Sequence, residues 1–320
     1  MIKYTSFMKD LIESFIKYRK ASQCWSDTTY GQYLKTFENY CVKTFPNATK
    51  ITQEMIDGWC VVRPTELNKS YNSRIYVVIA FIRYTNSRGY TALREPLPAT
   101  KTKNTYIPHS FTNEELTNFF KACDEVEFKW NGKESKASLI TIPVIFRLLY
   151  SSGIRTTEAR LLRRENVDLD TGVISIENSK GYNQHYVVLH DTMKQLMLEY
   201  DKEISKLYPN RKIFFPGKND KPHIKAWISY TFKKAWFKYN NTPAIAYDLR
   251  HNYAIHNINL WINDGIEFTA KLYYLSKSMG HTSIEVTKRY YSLTPKIAKI
   301  FKEQVNNTFE NIIPEDFDYE

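Results

Sequence analysis

Apolar residues in the first hundred positions recur at helical spacing. Phe7, Leu11 and Phe15 fall four apart, as do Met8, Ile12 and Ile16, and together they make one wide apolar stripe. Ser26 can cap a second helix carrying Tyr30, Leu34, Phe37 and Cys41, and Thr52 a short third one with Met55, Ile56 and Trp59. A fourth, from about Ser70, contains IYVVIAFIRY and stops near Gly89. Its β-branched residues would suit a strand, but the length and the polar flanks favour a buried helix. Four helices in roughly ninety residues predict a compact bundle.

Residues 91–110, TALREPLPATKTKNTYIPHS, hold three prolines and two close lysines without periodicity, the pattern of an extended linker. Beyond it, Thr112 and Glu115 form a capping box for a helix with Leu116, Phe119 and Phe120. A strongly apolar helix at about 138–151 runs to Ser152-Gly153, where glycine supplies the stop. GVISIE (172–177) and HYVVLH (185–190) flank the polar turn NSKGYNQ and predict a hairpin. Helices are expected again at 191–207, opening at Asp191, then at about 222–238, 247–260 and 268–279, with a last pair around 283–303. The expected fold is mainly α with a small β-sheet: a helical domain over 1–95, a linker over 96–109 and a second domain over 110–320.

Of the 320 residues, 42% are hydrophobic and 25% charged, which supports a packed core and excludes wholesale disorder. No apolar run approaches the ~20 residues of a membrane helix, so no membrane association is expected. The N-terminal MIKYTSFMKDLIESF carries charges through its apolar stretch and has no small-residue cleavage site, unlike a signal peptide. A soluble cytoplasmic protein, associated with the nucleoid, is the expectation. Cys24, Cys41, Cys60 and Cys123 are widely spaced, which gives no zinc ribbon and no disulfide framework, only plain buried thiols. Charge says more. Lys and Arg number 45 against 34 Asp and Glu, a net +11. Residues 1–103 carry +8, residues 104–303 another +8, and 304–320 hold five acids and no base. Two basic bodies with a small acidic tail are the footprint of a nucleic-acid binder.

Four separated segments hold a cation or a tyrosine in a telling setting. In SSGIRTTEARLL, Arg155 sits between a helix stop and the next helix start; Thr156 can cap that helix, and Glu158 can hold the guanidinium. Lys180 lies at the hairpin tip. In YDLRHNYAIH, Arg250 and His251 open a helix, and in MGHTSIEVTKRYY, His281 follows a helix with Tyr290 nine residues on. No cluster of carboxylates stands out for metal-dependent phosphoryl transfer, so no cofactor and no metal site is expected. Cations alone can stabilise charge on the non-bridging oxygens of a phosphodiester, and the planar fork of arginine suits this. A phenol is mostly protonated at neutral pH, a handicap of about 4 kcal/mol, and fixed cations are expected to lower it. A mobile lysine is suited to protonate the leaving 5′ oxygen. Of the two adjacent tyrosines, Tyr291 lies seven residues from Ile284 and shares its helical face, whereas Tyr290 points about 100° away.

Arg155 in G-I-R-x-x-E, Lys180 in a hairpin, L-R-H at 249–251, G-H at 280–281 and Tyr290, in that order, resemble the tyrosine recombinases of the phage integrase family. The resemblance extends over almost the whole chain. It implies an N-terminal core-binding domain of the SAM-like kind, an α+β catalytic domain, and site-specific DNA strand transfer through a 3′-phosphotyrosyl link without metal or ATP. Arg155 and Arg250 would bind the scissile phosphate, Lys180 would be the general acid, His281 would hydrogen-bond the phosphate, and Tyr290 would be the nucleophile. Glu158 and His251 would support them, and Lys101 and Lys103 in the linker would meet DNA phosphates. One position departs from the pattern. Where the resemblance expects a histidine three residues before the second arginine, this chain has Tyr247, a poor general base, and neighbouring Asp248 is not shown to substitute.

The C-terminal stripe of Ile297, Ile300, Phe301 and Val305 could pack at home or dock on a neighbouring protomer. The resemblance implies protomer exchange in a homotetramer assembled on two double-stranded DNA sites. A type IB topoisomerase would use a similar residue set, although the helical first domain and linker look like a recombinase's. A catalytically silent DNA-binding relative is the other alternative, kept open by Tyr247.

Overall fold

The computed structural model describes residues 2–22, 25, 27–100, 106–127, 132–177, 184–261 and 266–290, with the side chains at 28 and 266 excepted. The chain divides into two compact units, Met1–Tyr106 and Ile107–Glu320. Among the described residues, no helix is long and apolar enough to cross a membrane.

Among its described residues, the first unit holds four α-helices: α1 (Lys9–Ala21), α2 (Gln32–Thr44), α3 (Gln53–Trp59) and α4 (Asn68–Ser87). A π turn, Asp27–Gly31, leads into α2; Ser26, the expected cap, lies outside the described residues. Ile12 and Phe15 meet Leu34, Phe37, Met55, Ile56, Trp59, Phe81 and Ile82 in one core. The Thr52 hydroxyl caps α3 by accepting from the Met55 N–H at 3.4 Å. The β-branched run in α4 is helical because Ile75, Val77, Val78, Ile79, Phe81 and Ile82 are all buried, more than one face of the helix.

Residues 91–100 form no helix or strand, yet they are held along the first unit. Three amide side chains each grip one backbone residue in both directions. Asn86 accepts from Leu93 N–H at 3.0 Å and donates to its carbonyl at 2.7 Å. Gln53 does the same to Arg94 at 2.8 and 3.4 Å, and Asn72 to Ala99 at 2.8 and 2.9 Å. Each amide stands in for the neighbouring strand that this segment lacks, satisfying backbone groups that would otherwise need water. Lys101 and Lys103 lie outside the described residues.

The second unit runs α5 (Asn113–Asp124), α6 (Lys133–Ser152), α7 (Thr156–Leu161), β1 (Val167–Asp168), β2 (Val173–Ile176), β3 (His185–Val188), α8 (Asp191–Leu207), α9 (Lys225–Tyr239), α10 (Asp248–Trp261), α11 (Ile266–Ser278) and α12 (Ile284–Lys288). Its described residues are mostly helical, with one small antiparallel sheet in the order β1-β2-β3. Phe119, Phe146, Phe232 and Trp236 pack together at the centre. The Thr112–Glu115 capping box forms in both directions at 3.1 and 2.9 Å. Two sequence expectations need correction, and one element was missed. The apolar helix starts at Lys133 rather than near 138, with the Lys133 ammonium 4.0 Å from the Tyr208 ring centre. The two-residue strand β1 was not foreseen, because two residues cannot display an alternation. The cap of α7 is Arg155, not Thr156: the Glu158 carboxylate accepts the Arg155 N–H at 2.7 Å, and Thr156 is the first helical residue.

Prediction. Asn72→Ala should free the strap at Ala99. Loss of one two-way amide pair worth about 1.4 kcal/mol raises local opening roughly tenfold. Hydrogen exchange at the Ala99 amide reads this directly; unchanged protection would show that the clamp does not hold the segment.

Candidate active site

The site is assembled where helices end. Gly153 closes α6 in the left-handed region, φ 65°, and a β-carbon there would lie 2.2 Å from the Tyr253 ring. Its carbonyl accepts from the Arg250 guanidinium at 2.6 Å, across 97 residues of sequence. At the end of α11, the N–H groups of Gly280 and His281 return to the carbonyls of Lys277 and Ser276, at 2.9 and 3.0 Å, a Schellman closure that requires Gly280 at φ 62°. That closure exposes two carbonyls to the cations: Met279 accepts from Arg250 at 2.7 Å, and Gly280 accepts from Arg155 at 2.8 Å. Carbonyls at helix C-termini carry partial negative charge, so both ends favour a cation.

Arg250 opens α10 and is 2% exposed. Its Nε is buried without a hydrogen-bond partner, a donor left over in a side chain otherwise fixed by carbonyls. Arg155 is held by Glu158 at 2.5 Å. Burial opposes ionisation of Glu158, but the N–H and guanidinium of Arg155 hold its carboxyl below the usual range.

His281 lies 3.0 Å from Arg250 through Nε2 and 2.7 Å from the Thr287 hydroxyl through Nδ1. A guanidinium only donates, so Nε2 accepts and Nδ1 carries the proton that Thr287 receives. Burial, reinforced by Arg250 and Arg155, pushes its pKa down to about 4, so the ring is neutral at pH 7.

Tyr290 is 7% exposed and packs among Ala254, Ile255, Ile258, Leu272, Leu275 and Met279. Its ring lies over that of His281, 6.3 Å apart and 18° from parallel. The phenol oxygen is 3.2 Å from His251 Nδ1, and the Arg250 guanidinium is a hydrogen-bonding neighbour. Burial pushes the phenol above its ordinary 10, and Arg250 and Arg155 only oppose this. The cations act in the expected direction, but desolvation outweighs them and the net shift is upward.

Arg155, Glu158, Arg250, His251, His281 and Tyr290 thus converge. Tyr247 stands beside them, 37% exposed, its ring edge-on to His251 at 5.0 Å. Lys180 and Tyr291 lie outside the described residues, as does the C-terminal stripe. His185, passed over in sequence as ordinary, belongs to the site's surroundings: a β-carbon on Gly280 would meet its ring at 2.6 Å, and it acts electrostatically on Glu158 and His281. The signal was present in β3, where His185 shares the inward phase of buried Val187. Among the described residues, no group of three or more His, Cys, Asp and Glu is placed to hold a metal ion.

Residues 109–296 match the phage integrase family. This chain is a member of that family. A putative integrase/recombinase y4rE from Sinorhizobium fredii is 25% identical over 189 residues, 57% of this chain and 59% of that protein. The tyrosine recombinase XerD of Staphylococcus saprophyticus is 23% identical over 302 residues, 92% of this chain and 98% of that one. Among solved structures, the XerH site-specific recombinase in a post-cleavage complex with palindromic difH substrate shares the fold, with a TM-score of 0.59 and 18% identity over 94% of this chain and 84% of that one. Arg155, Arg250, His281 and Tyr290 all fall inside the stretch matched to the integrase family.

Prediction. Two histidines of this integrase, His223 and His281, are pushed to about 4 in the fold from an ordinary 6.5. The unfolded chain then binds more protons, so stability rises with pH across that window and is lost as pH falls from about 6.5 towards 4. Thermal melts at about pH 7.5, 5.5 and 4.5 should fall in that order, and His281→Asn should lose less than the parent. Identical slopes for the two proteins would contradict the burial of a neutral His281.

Proposed function

We propose that this chain is a site-specific recombinase that cuts and rejoins DNA strands through a 3′-phosphotyrosyl link, with Tyr290 as nucleophile. The single observation behind this is the placement of the Tyr290 hydroxyl against Arg250 within a cluster that also holds Arg155 and His281. Arg155 and Arg250 bind the non-bridging oxygens of the scissile phosphate, and the unpartnered Nε of Arg250 is a donor available to it. His281 turns its Nε2 from Arg250 to the phosphate, the neutral ring moving its proton from Nδ1 to Nε2 while the Thr287 hydroxyl reverses to donate to Nδ1. Tyr290 attacks phosphorus, and Lys180 protonates the 5′ oxygen as it leaves. The covalent ester conserves the energy of the broken bond, so rejoining needs neither ATP nor metal.

Double-stranded DNA with a recombination site is the partner, and a homotetramer on paired sites, exchanging C-terminal segments, is the working assembly. Lys101 and Lys103 contact backbone phosphates. Action on DNA places the protein in the cytoplasm, at the nucleoid.

Prediction. A duplex carrying the site that the protein itself selects from random-sequence DNA, nicked to trap cleavage, should yield a covalent adduct in EDTA. Tyr290→Phe should yield none. An adduct from that variant, or an absolute need for added metal, would overturn the proposal; relaxation of any supercoiled plasmid without a paired site would indicate a topoisomerase instead.

Prediction. Glu158→Gln removes the charge that holds Arg155 while leaving its size. Misplacing a phosphate-binding group costs about tenfold to a hundredfold in rate. Single-turnover cleavage should fall by that amount with site binding little changed, and an unchanged rate would remove Glu158 from the mechanism.

A further inference from the structure

A phenol that attacks phosphorus must lose its proton, and Tyr247 is poorly suited to receive it. A second phenol has the same ordinary pKa as the first, so transfer between them has no driving force. Asp248 is fully buried and its carboxylate accepts the Ile245 N–H at 3.0 Å, back towards its own loop. His251 is the imidazole in contact with the phenol oxygen, at 3.2 Å.

We infer that His251 is the proton acceptor for Tyr290, taking at the residue after the second arginine the role that position 247 leaves vacant. The hydrogen-bond directions carry this. Arg250 has only donors, so towards it the phenol oxygen accepts. The phenol's own proton then points at His251 Nδ1, 3.2 Å away, which accepts as the Nε2-protonated tautomer. The groups facing His251 are Asp248 and Arg250 from its own helix, Tyr247 from the turn before it, and Tyr290 from beyond α12. Burial, helped by Arg250, keeps the ring below its ordinary 6.5 and therefore neutral at pH 7, with its lone pair available. Asp248, three residues earlier on α10, pulls the other way and favours the imidazolium once formed. Tyr247, edge-on at 5.0 Å, braces the ring.

The step balances. The Tyr290 oxygen bonds to phosphorus while its proton passes to His251 Nδ1. The bond from phosphorus to the 5′ oxygen breaks, and that oxygen leaves as a hydroxyl with the proton assigned above to Lys180. On rejoining, the 5′ hydroxyl returns its proton to Lys180 as its oxygen bonds to phosphorus, the bond from phosphorus to Tyr290 breaks, and His251 returns its proton to the phenol oxygen. The inference rests on Tyr290 being the nucleophile, and its test separates the two.

The test is single-turnover cleavage of the nicked, protein-selected duplex by the full chain and by His251→Gln and His251→Asn, at saturating protein. Both variants can keep a hydrogen bond to Tyr290, and neither takes up its proton. A general base contributes about a hundredfold to ten-thousandfold, so cleavage should fall at least a hundredfold with site affinity little changed. Two further readouts separate chemistry from packing. The variant rates should climb with pH above 7, where the parent is flat. Difluorotyrosine incorporated at position 290, a more acidic phenol, should recover tenfold or more in the variants. Cleavage at the parental rate, or slow cleavage that responds to neither pH nor fluorination, would overturn His251 as acceptor and leave Tyr290 untouched. Absence of adduct from the parent, or its persistence in Tyr290→Phe, would overturn the strand-transfer proposal beneath it.

Discussion

A buried guanidinium with no carboxylate among its hydrogen-bond partners in the described residues is the constraint around which the site is organised. An uncompensated charge in the interior is expensive, and Arg250 meets the cost with the carbonyls of Gly153 and Met279, each at the end of a helix. Carbonyls at C-termini offset a cation without cancelling it, and each such helix end contributes about 0.3–1 kcal/mol when exposed and up to about 2 when partly buried. A carboxylate on Arg250 as well as on Arg155 would have left the two arginines with no net positive charge between them. Arg155 does have such a partner, Glu158, and uses a second carbonyl, that of Gly280. The two arginines therefore tie the end of α6 to the end of α11, and the fold of the second unit cannot be separated from the placement of its cations.

Desolvation then governs the neutral groups. His281, His251 and Tyr290 are each pushed towards the uncharged form, because every charged form would have to give up water. The cations work in the same direction on the histidines and against it on the phenol, and for the phenol they lose. A bound phosphate would not repair this. Its negative charge compensates the same arginines that favour phenolate, so a phenol facing an occupied site is harder to ionise than one facing an empty site. Under the strand transfer proposed above, the proton would then leave with the reaction rather than before it, which would make the neighbouring imidazole matter more than the surrounding positive field.

Local signals carried most of what was legible in the sequence. The Thr112–Glu115 box, the Thr52 cap, the glycine stop at 153 and the alternation around 173–188 depend on residues a few positions apart, and these elements formed where expected. The order of Arg155, Arg250, His281 and Tyr290 was readable because each sits beside such a local signal. What escaped was long-range or too short to show a period. Nothing in SSGIR indicates that Gly153 will accept from a side chain 97 residues on. Three amides gripping residues 93, 94 and 99 follow from the path of a backbone without secondary structure, which no periodicity encodes. His185 sat in a strand of four residues, where one polar residue on the inward phase looks like an ordinary exception. The phenol's net upward shift was not legible because charge is visible in a sequence and burial depth is not.

The two glycine stops show how fold and chemistry share the same residues. At Gly153 a side chain would strike Tyr253, and at Gly280 it would strike His185 and come within 3.1 Å of the Arg155 guanidinium. Each glycine therefore does three things at once: it ends a helix in the left-handed region, clears space for a ring, and leaves a carbonyl at or beside it for an arginine. A helix that ended one residue later would move its carbonyl by about 1.5 Å and turn it by about 100°, enough to break the contact with the cation. The position of the reactive cluster is thus set by where α6 and α11 stop. That explains why a site spread over more than a hundred residues of sequence announces itself through short motifs, each of which marks a helix end before it marks any chemistry.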